Sequence, residues 1–153
     1  MILQRLSIAL CCAVLTACSP TPEGVLVTEA YGFVPTGNNS MAVAYLTLHN
    51  NTKQDVHIEN VHSALFENAT FHETVLHDGH ARMRALPAVS IRPGEKLELE
   101  PGAIHLMLMQ PQQTITAGTV DTLTFNFTKH AAVIARVEFF ARNAPPPMHE
   151  DTH

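Results

Sequence analysis

An all-β domain of the sandwich or barrel type is predicted by three features of this chain. From Val25 onward, apolar and polar residues alternate with period two in one short run after another. Turn residues interrupt these runs at close intervals. No stretch carries a sustained helical period.

The expected strands are Val25–Tyr31, Ala42–His49, Asp55–Val61, Ala69–Thr74, Ala81–Leu86, Lys96–Glu100, His105–Met109, Thr119–Phe127 and Val133–Phe140. Each is bounded by breakers: Pro35-Thr36-Gly37-Asn38-Asn39, Asn50-Asn51, Asp78-Gly79, Arg92-Pro93-Gly94, Pro101-Gly102 and Pro111. The best helical candidate is one turn near Ser63–Asn68. There is no internal repeat. With 153 residues the chain fits one domain and can bury a core without metal or disulfide staples. Trp is absent, so Val, Leu, Ile and Phe must build that core. A net charge of −5 and the lack of a basic cluster argue against nucleic acid as a partner.

Residues 1–17 read as a signal rather than as structure. Arg5 supplies the positive start, and Leu6 to Leu15 is an apolar run too short for a stable span. Leu15-Thr16-Ala17-Cys18 resembles the bacterial lipobox, which implies cleavage before Cys18, lipidation of that Cys and tethering to a membrane face. By resemblance to lipoprotein sorting in enteric bacteria, Ser19 after the Cys implies the outer membrane. Cys11 and Cys12 then leave with the signal, so the mature chain has no free thiol and no disulfide. Its formal charge becomes −6, because only one basic and no acidic residue is lost. Residues 18–24 read as a tether, residues 25–142 as the domain, and residues 143–153 as a Pro/His/Met tail.

Four metal-ligating side chains stand at fixed offsets in the domain: His72, Met83, His105 and Met107. Ten residues separate the first pair, twenty-one the next and one the last. In a strand, His105 and Met107 project to one face and Leu106 to the other. Asp78-Gly79 is a hairpin signal that folds Met83 back towards His72. Imidazole and thioether together suit Cu(I). Structural zinc would require Cys with His, calcium or magnesium clustered oxygens, and a blue-copper site a thiolate. Against the four stands the ordinary use of a lone Met in a core and of a lone His on a surface.

The spacing His-X10-Met-X21-His-X-Met resembles the motif of the periplasmic PCu(A)C copper chaperone family. So do the flanking runs Ala44-Tyr45-Leu46-Thr47-Leu48-His49-Asn50, His72-Glu73-Thr74, Met83-Arg84 and Pro101-Gly102-Ala103-Ile104-His105-Leu106-Met107-Leu108-Met109. The resemblance covers Val25 to Arg142. It implies a cupredoxin-like Greek-key β-barrel or sandwich, with Cu(I) held by His72, Met83, His105 and Met107. It also implies delivery of copper to the binuclear site of the copper-bearing subunit of cytochrome c oxidase, alongside Sco-type copper proteins. The chain departs from many members at Phe71, where a Met beside the first ligand is common; Phe71 is expected to shield the site. The lipobox departs from the freely soluble members.

Other His and Met residues have blander expectations. Met109 is expected in the core, with a reserve-ligand role as the alternative. His77 and His80 read as loop residues rather than a second site. His49, His57, His62 and His130 read as surface or strand residues. Glu73 is a candidate to orient His72. Met148, His149 and His153 form an auxiliary candidate set for Cu(II), with an idle tail as the alternative. The expectation is a lipid-anchored carrier on a periplasm-facing membrane and not an enzyme, since no nucleophile–base pair is legible. The rivals are a copper buffer or resistance protein, and a β-sandwich lipoprotein that binds another envelope protein without metal.

Overall fold

The computed structural model describes residues 23–35 and 41–144. The expected signal, Cys18 and the Met148, His149 and His153 set lie outside the described residues. Ten strands follow in order: β1 (Val25–Phe33), β2 (Met41–Asn50), β3 (Val56–Ser63), β4 (Phe66–His77), β5 (His80–Ala85), β6 (Val89–Ile91), β7 (Lys96–Leu99), β8 (Ile104–Pro111), β9 (Val120–Phe127) and β10 (Val133–Phe140). No helix occurs among the described residues.

The strands form one sheet in the order β5-β4-β8-β2-β1-β10-β9-β3-β6, and β7 also pairs with β2. All pairings are antiparallel except β1 with β10, which run parallel. β2 changes partner along its length. Met41 to Ala44 pair with β8, and Leu46 to His49 pair with β7. The sheet curls so that the inward residues of β2 and β8 (Ala42, Ala44, Leu46, Leu48, Leu106, Leu108) meet Leu123, Phe125, Val137 and Phe139 in one core. The Phe66 and Phe139 ring centroids lie 5.8 Å apart across it. The ladder does not close into a barrel, because β5 and β6 end it. Gly32 lets β1 approach this core: an added Cβ would lie 2.7 Å from the Phe139 ring and 2.9 Å from the Val43 carbonyl.

Two local features differ from expectation. The helical turn at Ser63–Asn68 does not form; residues 64–65 bend and Phe66 starts β4. Ser63 Oγ accepts hydrogen bonds from the amides of Leu65 (3.0 Å) and Phe66 (2.8 Å) and donates to Asp121 Oδ2 at 2.6 Å. The Ser side chain thus takes up amide protons that a helical turn would have engaged, and fixes a corner instead. The second feature is β6. Three residues are too short to show a period, and Val56↔Ile91 and Ile58↔Val89 pairing defines the strand. Asn50, fully buried, donates to Ile91 O at 2.8 Å and holds that strand from behind.

Asp121 is the buried centre of the corner. It is 1% exposed, and its carboxylate also accepts the amides of Ala64 (3.1 Å) and Thr122 (2.7 Å). Asp121→Ala is expected to lower unfolding stability by roughly 2 kcal/mol or more, since several buried donors lose their acceptor. Urea denaturation of the variant against the parent measures the loss.

Candidate metal centre

Burial of one face fixes what the other face presents. On β4 and β8, Phe71 pairs with Leu106 and both point into the core, 7% and 0% exposed. Their neighbours in sequence must point outward. His72 pairs directly with His105, and Thr70 pairs with Met107. The two imidazole rings stack, with centroids 6.2 Å apart and planes at 29°.

Met83 arrives by the hairpin. Asp78 and Gly79 both adopt positive φ (51° and 75°), as a two-residue hairpin turn requires. The turn joins β4 to β5 with His77 opposite His80. The register puts Met83 across from Thr74 and Ala85 across from His72. Met83 is therefore diagonal to His72 on the same face. All four expected residues share that face.

Exposure differs sharply among them. His105 and Met107 are nearly buried, at 5% and 8%, whereas Met83 is 64% exposed on a strand exposed along its whole length. The site is thus rigid at its floor and open at one side. An open cavity of about 360 Å³ is lined by Met41, Tyr45, Met83, His105, Met107 and Arg142, among others.

The ring nitrogens are oriented by their surroundings. His105 Nδ1 lies 3.1 Å from the Ala103 carbonyl, to which only an N–H can donate. Its Nε2 is then the nitrogen with a free lone pair. The Pro101-Gly102 turn supplies that carbonyl; Gly102 has φ of 82°, and the Ala103 amide donates to Glu100 O at 3.2 Å. For His72, Thr70 Oγ1 lies 3.1 Å from Nε2; with Nε2–H donating to that hydroxyl, Nδ1 keeps the free lone pair. Burial, and then the neighbouring His105, push the His72 pKa below the usual 6.5, so the ring stays neutral. Burial likewise raises the Tyr45 phenol above its usual 10.0, against the opposing pull of Arg142. Among the described residues, no carboxylate lines the cavity. Among the described residues, no group of three or more His, Cys, Asp or Glu converges, so a multidentate site here needs thioethers.

Three expectations are corrected by the geometry. Phe71 does not shield the site, because strand alternation sends it into the core. Glu73 does not orient His72: it lies on the opposite face and accepts hydrogen bonds from Arg84. Met109 is half-buried on the outward face, opposite Met41, instead of in the core. Met41, Tyr45 and Arg142 were not expected at the cavity. Alternation along Met41-Val43-Tyr45 was the available signal, but only the β2–β8 pairing brings that face to Met107.

Comparison with known proteins agrees with this architecture. The family model "Putative lipoprotein LpqE-like" matches residues 25–139. "Putative lipoprotein Lxx21020" of Leifsonia xyli subsp. xyli (strain CTCB07) is 30% identical over 123 residues, covering 76% of this chain and 73% of that protein. The copper-bound PCuAC domain from PmoF2 superimposes with a TM-score of 0.65 at 18% identity, over 80% of this chain and 97% of that one. The CuI-DR1885 structure from Deinococcus radiodurans gives 0.62 at 20% identity, over 84% of each chain. These structures establish the cupredoxin-like PCuAC fold. The family match runs almost the length of the strand domain, and this chain belongs to the LpqE-like lipoproteins.

Proposed function

We propose that this protein binds Cu(I) through His72, Met83, His105 and Met107 and carries it to the binuclear copper site of cytochrome c oxidase during assembly. One observation carries the reading: two imidazoles and two thioethers share one outward face, with His72 directly opposite His105 and no carboxylate among them. Neutral soft donors favour Cu(I) over zinc, calcium or magnesium. The structural likeness to copper-bound PCuAC domains is consistent with it. Lipidation at Cys18, in keeping with the family's description, would hold the carrier at a periplasm-facing membrane, within reach of a membrane-bound recipient and of Sco-type proteins. We favour the outer membrane as the anchor. Met148, His149 and His153 would gather Cu(II) as an auxiliary set. The donors are placed to hold an ion, and we propose no catalytic turnover.

Anaerobic Cu(I) titration against a competing chelator tests the site. Met83→Ala and His105→Ala are each expected to weaken binding by more than about tenfold, beyond the loss typical of removing an outer-shell partner. Unchanged affinity in both overturns the assignment.

The recipient is tested in cells. Deleting the gene is expected to impair oxidase assembly at low copper. A loss of copper tolerance at high copper, with normal oxidase assembly, would favour the buffer reading instead.

The neutral state of His72 has its own signature. Its folded pKa lies below the unfolded value, so the unfolded chain takes up the proton first as pH falls. This contribution to stability is lost as pH drops through the usual histidine range. In NMR titration of the metal-free protein, the His72 ring is expected to titrate below the usual 6.5.

A further inference from the structure

We propose that Met41 is a fifth donor, a thioether that exchanges with His72 on the same ion. This rests on the copper reading above. Met41 opens β2, where alternation buries Ala42 and Ala44 completely and turns Met41 and Val43 outward. The register Val43↔Met107 and Met41↔Met109 puts Met41 diagonal to Met107 across the ladder. Met41 is 38% exposed and has no place in the core cluster. It lines the cavity together with Met83, His105 and Met107. His72, stacked against His105, is not part of the cavity lining.

Two overlapping donor sets follow. One is His72, Met83, His105 and Met107; the other replaces His72 with Met41. Both are neutral and soft, so each suits Cu(I). Exchange breaks one Cu–N bond and forms one Cu–S bond. No proton or electron moves, and the copper stays Cu(I). The ion shifts across the sheet from the β4 side towards β2, and His105 and Met107 hold it throughout. Arg142, also at the cavity, adds a positive charge that disfavours Cu(II) there more than Cu(I).

Met41→Leu tests the proposal, since that swap nearly conserves volume and leaves the fold intact. The readouts are the sulfur count from X-ray absorption of Cu(I)-loaded protein and Cu(I) affinity by chelator competition. His72→Ala is expected to retain Cu(I) with three sulfurs and one nitrogen. His72→Ala with Met41→Leu is expected to show two sulfurs and to bind more than about tenfold more weakly than His72→Ala alone. Equal affinity and equal sulfur count in those two variants overturn the Met41 role, as does complete loss of Cu(I) from His72→Ala. The Met83→Ala and His105→Ala variants separate the two readings. If they bind as tightly as the parent, the copper site itself fails. If they lose binding while His72→Ala and His72→Ala with Met41→Leu bind alike, only the exchange fails.

Discussion

The register between β4 and β8 governs the site. Side chains in a strand alternate faces, so a slip of one residue would bury His72 and expose Phe71. The core prevents that slip. Phe71, Leu106 and Leu108 are packed against the opposite half of the sheet, and moving them outward would expose three large apolar side chains. Burying such side chains contributes roughly 1.5–3 kcal/mol each. The packing on the inside thus fixes the geometry on the outside. The same constraint passes to β2 through Val43↔Met107 and to β5 through Thr74↔Met83.

Charge is arranged by similar means. Glu73 is adjacent to His72 in sequence but faces away and is engaged by Arg84. Burial raises the Tyr45 phenol further above its usual 10.0, so it carries no charge at neutral pH. Asp121, a carboxylate inside the protein, is kept at the Ser63 corner and saturated with hydrogen bonds. Among the described residues, anionic oxygen, which would attract hard cations, is therefore absent from the cavity lining. The selectivity proposed for the site rests as much on this exclusion as on the thioethers.

Much of this was legible in the sequence because its signals are local. Period-two alternation located nine of the ten strands, and Asp78-Gly79 located the hairpin that returns Met83. His105 and Met107 were placed on one face by their spacing alone. The illegible parts depend on distant partners. β6 exists through β3, and the Ser63 corner forms because Asp121, far along the chain, accepts its hydroxyl proton. Whether Met41 matters depends on β2 lying beside β8, which no local pattern reports. Phe71 and Glu73 were misread as neighbours of the site because adjacency in sequence means opposite faces in a strand.

β5 ends the sheet, and among the described residues nothing pairs with its outer edge. An open edge is a template on which further copies of a chain can add as strands and aggregate. This edge is short, six residues, and carries Arg82 and Arg84 with His80 at its start. Desolvating two guanidinium groups against the same groups of another copy is unfavourable. The strand that holds Met83 in the open thus sets charge along the edge on which another copy would have to pair.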